Sequence, residues 1–239
     1  MTRERRQPHV ARYQAGEVTL AVRSWPCDDP ARPPVVLLPG TGATADDWDE
    51  IAAPLCADRA VFAVDLRGHG GSDWPGTYSV VSLADDVSAV LPALTATTGA
   101  RTVDLIGHSL GGLVACRVAA GPDAPVRRLV LEDVGMPHPR AASPPERPAG
   151  PLAYDWAMVQ QIRPEVDEPD PAWPQIVASV RAPALVIGGG PASFLPQEHI
   201  AELAGAMQAG TSITIDAGHL VHALRAADFT AAVRAFLGA

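Results

Sequence analysis

The sequence predicts an α/β domain: a mostly parallel central sheet with helices on both faces and a short insertion late in the sheet. Three observations carry that prediction. Apolar runs at residues 35–38 and 60–64, and one at 103–106 broken only by Asp104, have the pattern of strands buried on both faces. Helical patterns alternate with them, and strands alternating with helices of about 10–15 residues imply parallel pairing through crossover helices. The third observation is the stretch that follows residues 103–106. It passes through Gly107-His108-Ser109-Leu110-Gly111 directly into a helical pattern rich in small residues. A turn that sharp needs glycine two residues before and after the serine, because a Cβ at either place would strike the adjoining strand or helix. The serine then stands exposed at a helix N-terminus, and the Leu110 backbone N–H is free to donate to an oxyanion.

In chain order, alternating runs at residues 10–14 and 18–25 predict an antiparallel hairpin, followed by a turn-rich connector over 26–34. Residues 35–38 run into Pro39-Gly40-Thr41-Gly42. Thr44 or Asp46 is placed to cap a helix over about 47–56. Residues 60–64 form the next strand and end in Asp65-Leu66-Arg67-Gly68-His69-Gly70-Gly71-Ser72, where Asp65 and Arg67 read as a loop-bracing pair. Leu83, Val87, Val90, Leu91 and Leu94 repeat at helical spacing, and Pro92 predicts a bend or an early end. After the serine turn come a helix to about residue 120 and a strand over 126–131. Residues 136–183 are proline-rich and poorly periodic, which predicts a lid or cap within a single domain spanning 1–239, with a helix near 152–162. The sheet resumes at 184–187, then a helix near 197–207, a strand over 212–215 and a last helix over 226–237.

Composition bounds the partners. With 239 residues and 47% apolar content the chain supports one sizeable core. A net charge of −9 argues against a nucleic-acid or anionic-membrane surface. The start, Met1-Thr2-Arg3-Glu4-Arg5-Arg6, has no apolar segment behind it, so no secretory signal is expected. No continuous apolar run reaches the roughly 18 residues of a membrane span. Cys27, Cys56 and Cys116 are scattered without metal-ligand spacing and read as reduced thiols of a cytoplasmic protein. The expected partner is a small-molecule substrate, with no metal or organic cofactor implied; the oligomeric state is left open.

A serine hydroxyl needs a base to become nucleophilic near neutral pH, and histidine titrates in the right range. His219 has the best context of the seven histidines. It follows a strand-like run and a small Ala217-Gly218 turn, on a loop at the carboxyl edge of the sheet. His222 reads as structural, and His108 as a packed or pocket-wall residue. Asp85-Asp86 and the acidic cluster at 167–170 read as solvated faces. Arg140, Arg147 and Arg163 read as solvated as well. Met136, Tyr154 and Trp156 are available to wall an apolar pocket.

The serine turn, the Leu37-Leu38-Pro39-Gly40 turn, the 65–72 loop and the late Gly218-His219 together resemble the α/β-hydrolase superfamily over essentially the whole chain. The resemblance implies Ser109 as nucleophile, His219 as base, and the backbone N–H groups of Thr41 and Leu110 as the oxyanion hole. Pro39 stands where the commoner pattern has histidine, which alters support for that loop and leaves the donor in place. The commonest family pattern also puts the acid after the next-to-last strand. Here that loop reads Gly188-Gly189-Gly190-Pro191-Ala192-Ser193-Phe194-Leu195-Pro196, with Ala192 where aspartate is expected. A second family position follows the strand at 126–131, where Glu132-Asp133 stands. Alternation along a strand sends the two side chains to opposite sides, so only one of them reaches His219. Asp133 matches best; Glu132, then Asp216 or no acid at all, are the alternatives.

Two function classes follow. One is a serine hydrolase of esters, thioesters or lactones acting through an acyl-enzyme. The other is a cofactor-free lyase, isomerase or cyclase, or a ligand-binding protein, that uses the pocket without acyl transfer. The missing acid at Ala192 motivates the second.

Overall fold

A computed structural model describes residues 7–27 and 31–238. The N-terminal hexapeptide read for a targeting signal, and part of the 26–34 connector, lie outside the described residues. The backbone forms an eight-stranded sheet in the order β1-β2-β4-β3-β5-β6-β7-β8. β1 (His9–Ala15) and β2 (Val18–Trp25) make the expected antiparallel hairpin, and β2 also runs antiparallel to β4 (Val61–Val64). β3 (Val35–Leu38), β5 (Val103–His108), β6 (Val126–Glu132), β7 (Ala184–Gly188) and β8 (Gly210–Thr214) continue the sheet in parallel.

The apolar runs are continuous because period-two alternation delivers side chains to two separate cores. Val36, Leu38, Leu105, Leu129, Leu131 and Val186 enter one, and Val35, Leu37, Ile106, Val130, Leu185 and Ile187 the other. The first core is closed by α2 (Val80–Thr98), α3 (Leu110–Ala119), α5 (Trp173–Ala178) and α6 (Gln197–Ala206), the second by α1 (Asp49–Leu55) and α8 (Ala226–Gly238). Full burial of a leucine such as Leu83, Leu91 or Leu94 contributes about 1.5–3 kcal/mol.

Several local expectations are corrected. Pro92 does not end α2: the helix runs 19 residues through it, fixed by a Ser79–Ser82 capping box and its buried apolar face. By length and composition α2 could cross a membrane, contrary to the reading of the sequence, which looked for an unbroken run; half of it is buried in this fold. The first helix begins as a 3-10 turn over Ala45–Trp48, and neither Thr44 nor Asp46 caps it. The Thr44 hydroxyl bonds the Asp46 carboxylate instead, and Asp65 accepts from the Ala45 N–H (2.6 Å) and the Gly71 N–H (2.8 Å). Asp65 and Arg67 are therefore not a pair. Arg67 forks onto Asp86, which is buried and not a solvated face. Asp167 is likewise buried, held by Arg140 (2.7 Å) and Arg163 (2.9 Å), so these two arginines are not free in solvent.

Residues 136–183 carry α4 (Trp156–Asp167), which starts later than expected, after an Asp155 cap (Oδ1 to Ala157 N–H, 3.0 Å), and then α5. The segment is tied to the loop after β4. Gly70 N–H donates to Ala153 O and Asp155 N–H to Gly68 O, both at 2.7 Å, around an isolated bridge between His69 and Tyr154. Glu165 of α4 also accepts from the Val80 N–H (3.0 Å), an orphan donor in the first turn of α2. α7 (Val221–Leu224) completes the helices.

Candidate active site

The carboxyl ends of β3, β5, β6, β7 and β8 meet at one edge of the sheet, and each hands a loop to the site. Ser109 follows β5 in a strained backbone conformation (φ 51°, ψ −118°) that L-residues hold only when the surroundings impose it. The surroundings are glycine-dependent. A Cβ on Gly107 would lie 2.3 Å from Gly111 O, and one on Gly111 would lie 2.3 Å from Leu38 O. Both obstacles are backbone, which cannot rotate away. Gly111→Ala is expected to cost at least about 1–3 kcal/mol of stability, measured as a fall in Tm of several degrees; an unchanged Tm would show that β3 and α3 yield without cost.

β3 brings the Pro39-Gly40-Thr41-Gly42 turn. A Cβ on Gly40 would sit 3.3 Å from Ser109 Cβ, so the Gly40-Thr41 peptide passes directly over the serine. Within the described residues neither the Thr41 nor the Leu110 backbone N–H donates to an acceptor. The turn is braced by His69, whose Nδ1–H donates to Arg67 O (3.1 Å) and whose Nε2 accepts from Gly42 N–H (3.2 Å). Burial pushes His69 below the ordinary histidine range, which keeps that acceptor nitrogen bare. His69 thus ties the turn after β3 to the loop after β4.

β6 ends in Glu132, and Asp133 follows it in a left-handed turn, so the two carboxylates part as expected, though the turn and not strand alternation alone aims Asp133. Asp133, at φ 46°, turns to His219: Oδ2 accepts from His219 Nδ1–H at 2.7 Å and from the Ser193 hydroxyl at 2.5 Å, while Oδ1 accepts from Gly189 N–H at 2.8 Å. Burial works against the Asp133 charge, but these three bonds outweigh it and hold the carboxyl below the usual aspartate range. Gly189 O in turn accepts from Ala217 N–H (3.0 Å) and Gly218 N–H (2.8 Å), fixing the loop that carries His219. The loop that lacks a carboxylate at Ala192 therefore grips one supplied by the neighbouring strand. Asp216 packs beside Gly190, and its carbonyl accepts from Arg225.

Glu132 goes to the other core. Its carboxylate accepts from His222 Nδ1–H and from the His222 backbone N–H, all at 2.8 Å. His222 Nε2–H reaches Asp47 (3.1 Å), and the ring stacks on Trp48 with centroids 4.4 Å apart. His108 lies between the two histidines, its ring centroid 4.6 Å from His219 and 5.2 Å from His222, and its Nε2–H donates to His219 O (2.8 Å). Burial depresses its pKa, and its Nδ1 has no hydrogen-bond partner among the described residues. His108 is thus neutral and holds the backbone of the histidine loop.

Of the expected pocket-wall residues, Tyr154 has its ring against Gly42 of the turn after β3, whereas Met136 is buried in the core and Trp156 opens α4 half-buried. Three contributors were not read from the sequence: Gly189, Ser193 and Phe194, the last of which is 69% exposed with its ring 4.4 Å from His219. Ser193 had a visible signal, a hydroxyl beside the vacant acid position. The Ser109 hydroxyl and His219 Nε2 make no hydrogen bond; in ligand-free sites that contact commonly tightens only with substrate.

Residues 33–171 match the model of the alpha/beta hydrolase fold family, and the chain belongs to that family. It is similar to the 3-hydroxybutyrate-oligomer hydrolase of Cupriavidus necator, at 36% identity over 125 residues, 51% of this chain and 41% of that protein. It is also similar to esterase Rv0045c of Mycobacterium tuberculosis, at 40% identity over 129 residues, 53% of this chain and 40% of that protein. The chain spans about 40% of the length of these curated relatives. A solved hydrolase from Pseudomonas aeruginosa shares the fold at 23% identity and a TM-score of 0.78, over 96% of this chain and 98% of that one.

Proposed function

We propose that the chain is a serine hydrolase that cleaves a carboxylic ester, thioester or lactone through an acyl-enzyme on Ser109. The observation that carries this reading is the 2.7 Å contact between Asp133 Oδ2 and His219 Nδ1 at the sheet edge where Ser109 stands. That contact supports the tautomer with its proton on Nδ1 and Nε2 as the acceptor. Relatives named as an oligomer hydrolase and an esterase support ester chemistry.

Ser109 Oγ attacks the acyl carbon as His219 Nε2 takes its proton, and Asp133 stabilises the imidazolium. The tetrahedral oxygen accepts from the Thr41 and Leu110 N–H groups, each worth about 10²–10³ in rate in comparable sites. The oxyanion collapses, His219 returns the proton to the leaving alcohol or thiol, and water repeats the sequence on the acyl-enzyme. Met136, Tyr154 and Trp156, with the exposed ring of Phe194, suit a small to medium apolar acyl group. Asp133 favours this reading over a lyase, isomerase or binding role, whose motive was the alanine at position 192.

Intact-mass spectrometry after treatment with a fluorophosphonate tests it. One stoichiometric adduct is expected on the wild type and none on Ser109→Ala. A folded wild type that takes no adduct, or a variant that still does, overturns the assignment.

A further inference from the structure

We infer that His138, His199 and Glu202 form a binding site for a borderline divalent cation of the zinc class, at the root of the 136–183 segment. The site uses none of the residues assigned to catalysis and stands independently of the proposed reaction. His199 and Glu202 lie three residues apart on α6, the spacing that puts two side chains on one helix face. His138 arrives from 64 residues before Glu202 and already contacts it, Nε2 to Oε2 at 2.7 Å. The His138 and His199 ring centroids are 4.6 Å apart, and one ligand atom from each of the three residues lies within 4.8 Å of the others.

The backbone makes this convergence reproducible. Met136 N–H donates to His199 O (2.8 Å), anchoring the chain two residues before His138. A Cβ on Gly135 would come within 2.7 Å of His199 Cβ, so glycine there is what lets the strand exit lie flat on α6. Two of the three ligands are thus tied together by main-chain geometry, and the third sits one helical turn on.

The donor set selects the ion. Two imidazole nitrogens and one carboxylate oxygen suit Zn²⁺ and its neighbours, whereas Mg²⁺ and Ca²⁺ demand oxygen throughout. Bonds of about 2.0–2.2 Å at tetrahedral angles set ligand atoms about 3.4 Å apart. The cluster reaches that spacing by small rotations of side chains that are 43% exposed at His138 and 46% at Glu202, with no core to repack. A net charge of −9 adds a favourable field for a cation. Three protein ligands leave a fourth position for water. The bound ion would staple the start of the 136–183 segment to α6, the helix that follows the loop gripping Asp133. Because only the folded chain assembles the set, the ion stabilises it by mass action.

The test is isothermal titration of the untagged, chelator-stripped chain with ZnCl₂ at neutral pH, with MgCl₂ as the comparison ion. Wild type, His199→Ala and Glu202→Gln are compared, each checked for native circular dichroism. One equivalent of Zn²⁺ should bind the wild type and raise its Tm. Loss of a ligand should weaken binding by more than the about 10–100-fold that an outer-shell partner costs, and Mg²⁺ should give neither heat nor Tm shift. Absence of a stoichiometric Zn²⁺ isotherm in the wild type overturns the inference. So does an isotherm that both variants retain unchanged, which would place the ion elsewhere, for example on His219.

Discussion

Replacing Asp133 with asparagine is expected to lower turnover of a short-chain p-nitrophenyl ester by about 10⁴, mostly in kcat, while the protein stays folded. Asparagine tolerates the left-handed backbone at this position (φ 46°) at least as well as aspartate does, so the fold has no reason to move. The damage is in proton placement. Asp133 accepts three hydrogen bonds, and the one from Gly189 N–H is fixed by backbone, so the amide oxygen of an asparagine must stay there. Its NH₂ then faces Ser193 Oγ and His219 Nδ1. The serine hydroxyl can turn and accept. His219 can accept only by moving its proton to Nε2, and Nε2–H cannot take a proton from Ser109. Steady-state kinetics with the variant decides it: a kcat within a few fold of wild type would remove Asp133 from the mechanism.

What the sequence made legible here was local or followed from parity. The glycines around Ser109 are dictated by backbone contacts inside one strand–turn–helix unit, so the motif alone named them. The division of Glu132 from Asp133 is expected from strand alternation, and the structure gives the two carboxylates different histidines, with Asp133 turned by a left-handed backbone just past the strand end. Partner choice across the fold was not legible. Arg67 was matched with its neighbour Asp65 because no local rule points to Asp86, which α2 brings in from 19 residues away. Asp167 read as solvated for the same reason, although two arginines from different parts of the 136–183 segment converge on it. The early helix end that Pro92 suggests locally is overruled by the buried face of α2, which continues to Thr98. The grip of Gly189 and Ser193 on Asp133 joins the loops after two adjacent strands, which only the sheet order reveals.

Glu132→Gln should act on stability where Asp133→Asn acts on rate. His222 is 1% exposed and Glu132 fully buried, yet their pairing with Asp47 raises the His222 pKa to about 9 against the cost of burial. The imidazolium is therefore part of the fold. An unfolded histidine titrates near about 6.5, so the contribution is complete below that pH and is lost as pH rises through about 9. Wild-type stability should accordingly fall by about 2–3 kcal/mol between pH 6.5 and 9 from this group. A glutamine keeps an acceptor for the His222 backbone N–H but turns its NH₂ toward Nδ1–H, leaving a buried cation with half its counter-charge. Breaking such a pair costs about 3–5 kcal/mol. Urea denaturation of both proteins at the two pH values measures both effects: a large loss at pH 6.5 and a flatter pH dependence are expected for Glu132→Gln. A variant within about 0.5 kcal/mol of wild type, or one with the wild-type slope, would show that Glu132 carries no charge-pairing role, and a flat wild-type profile would show that His222 is held neutral. Two adjacent carboxylates on one strand end would then be distinguished by measurement, one through kcat and the other through the pH dependence of unfolding.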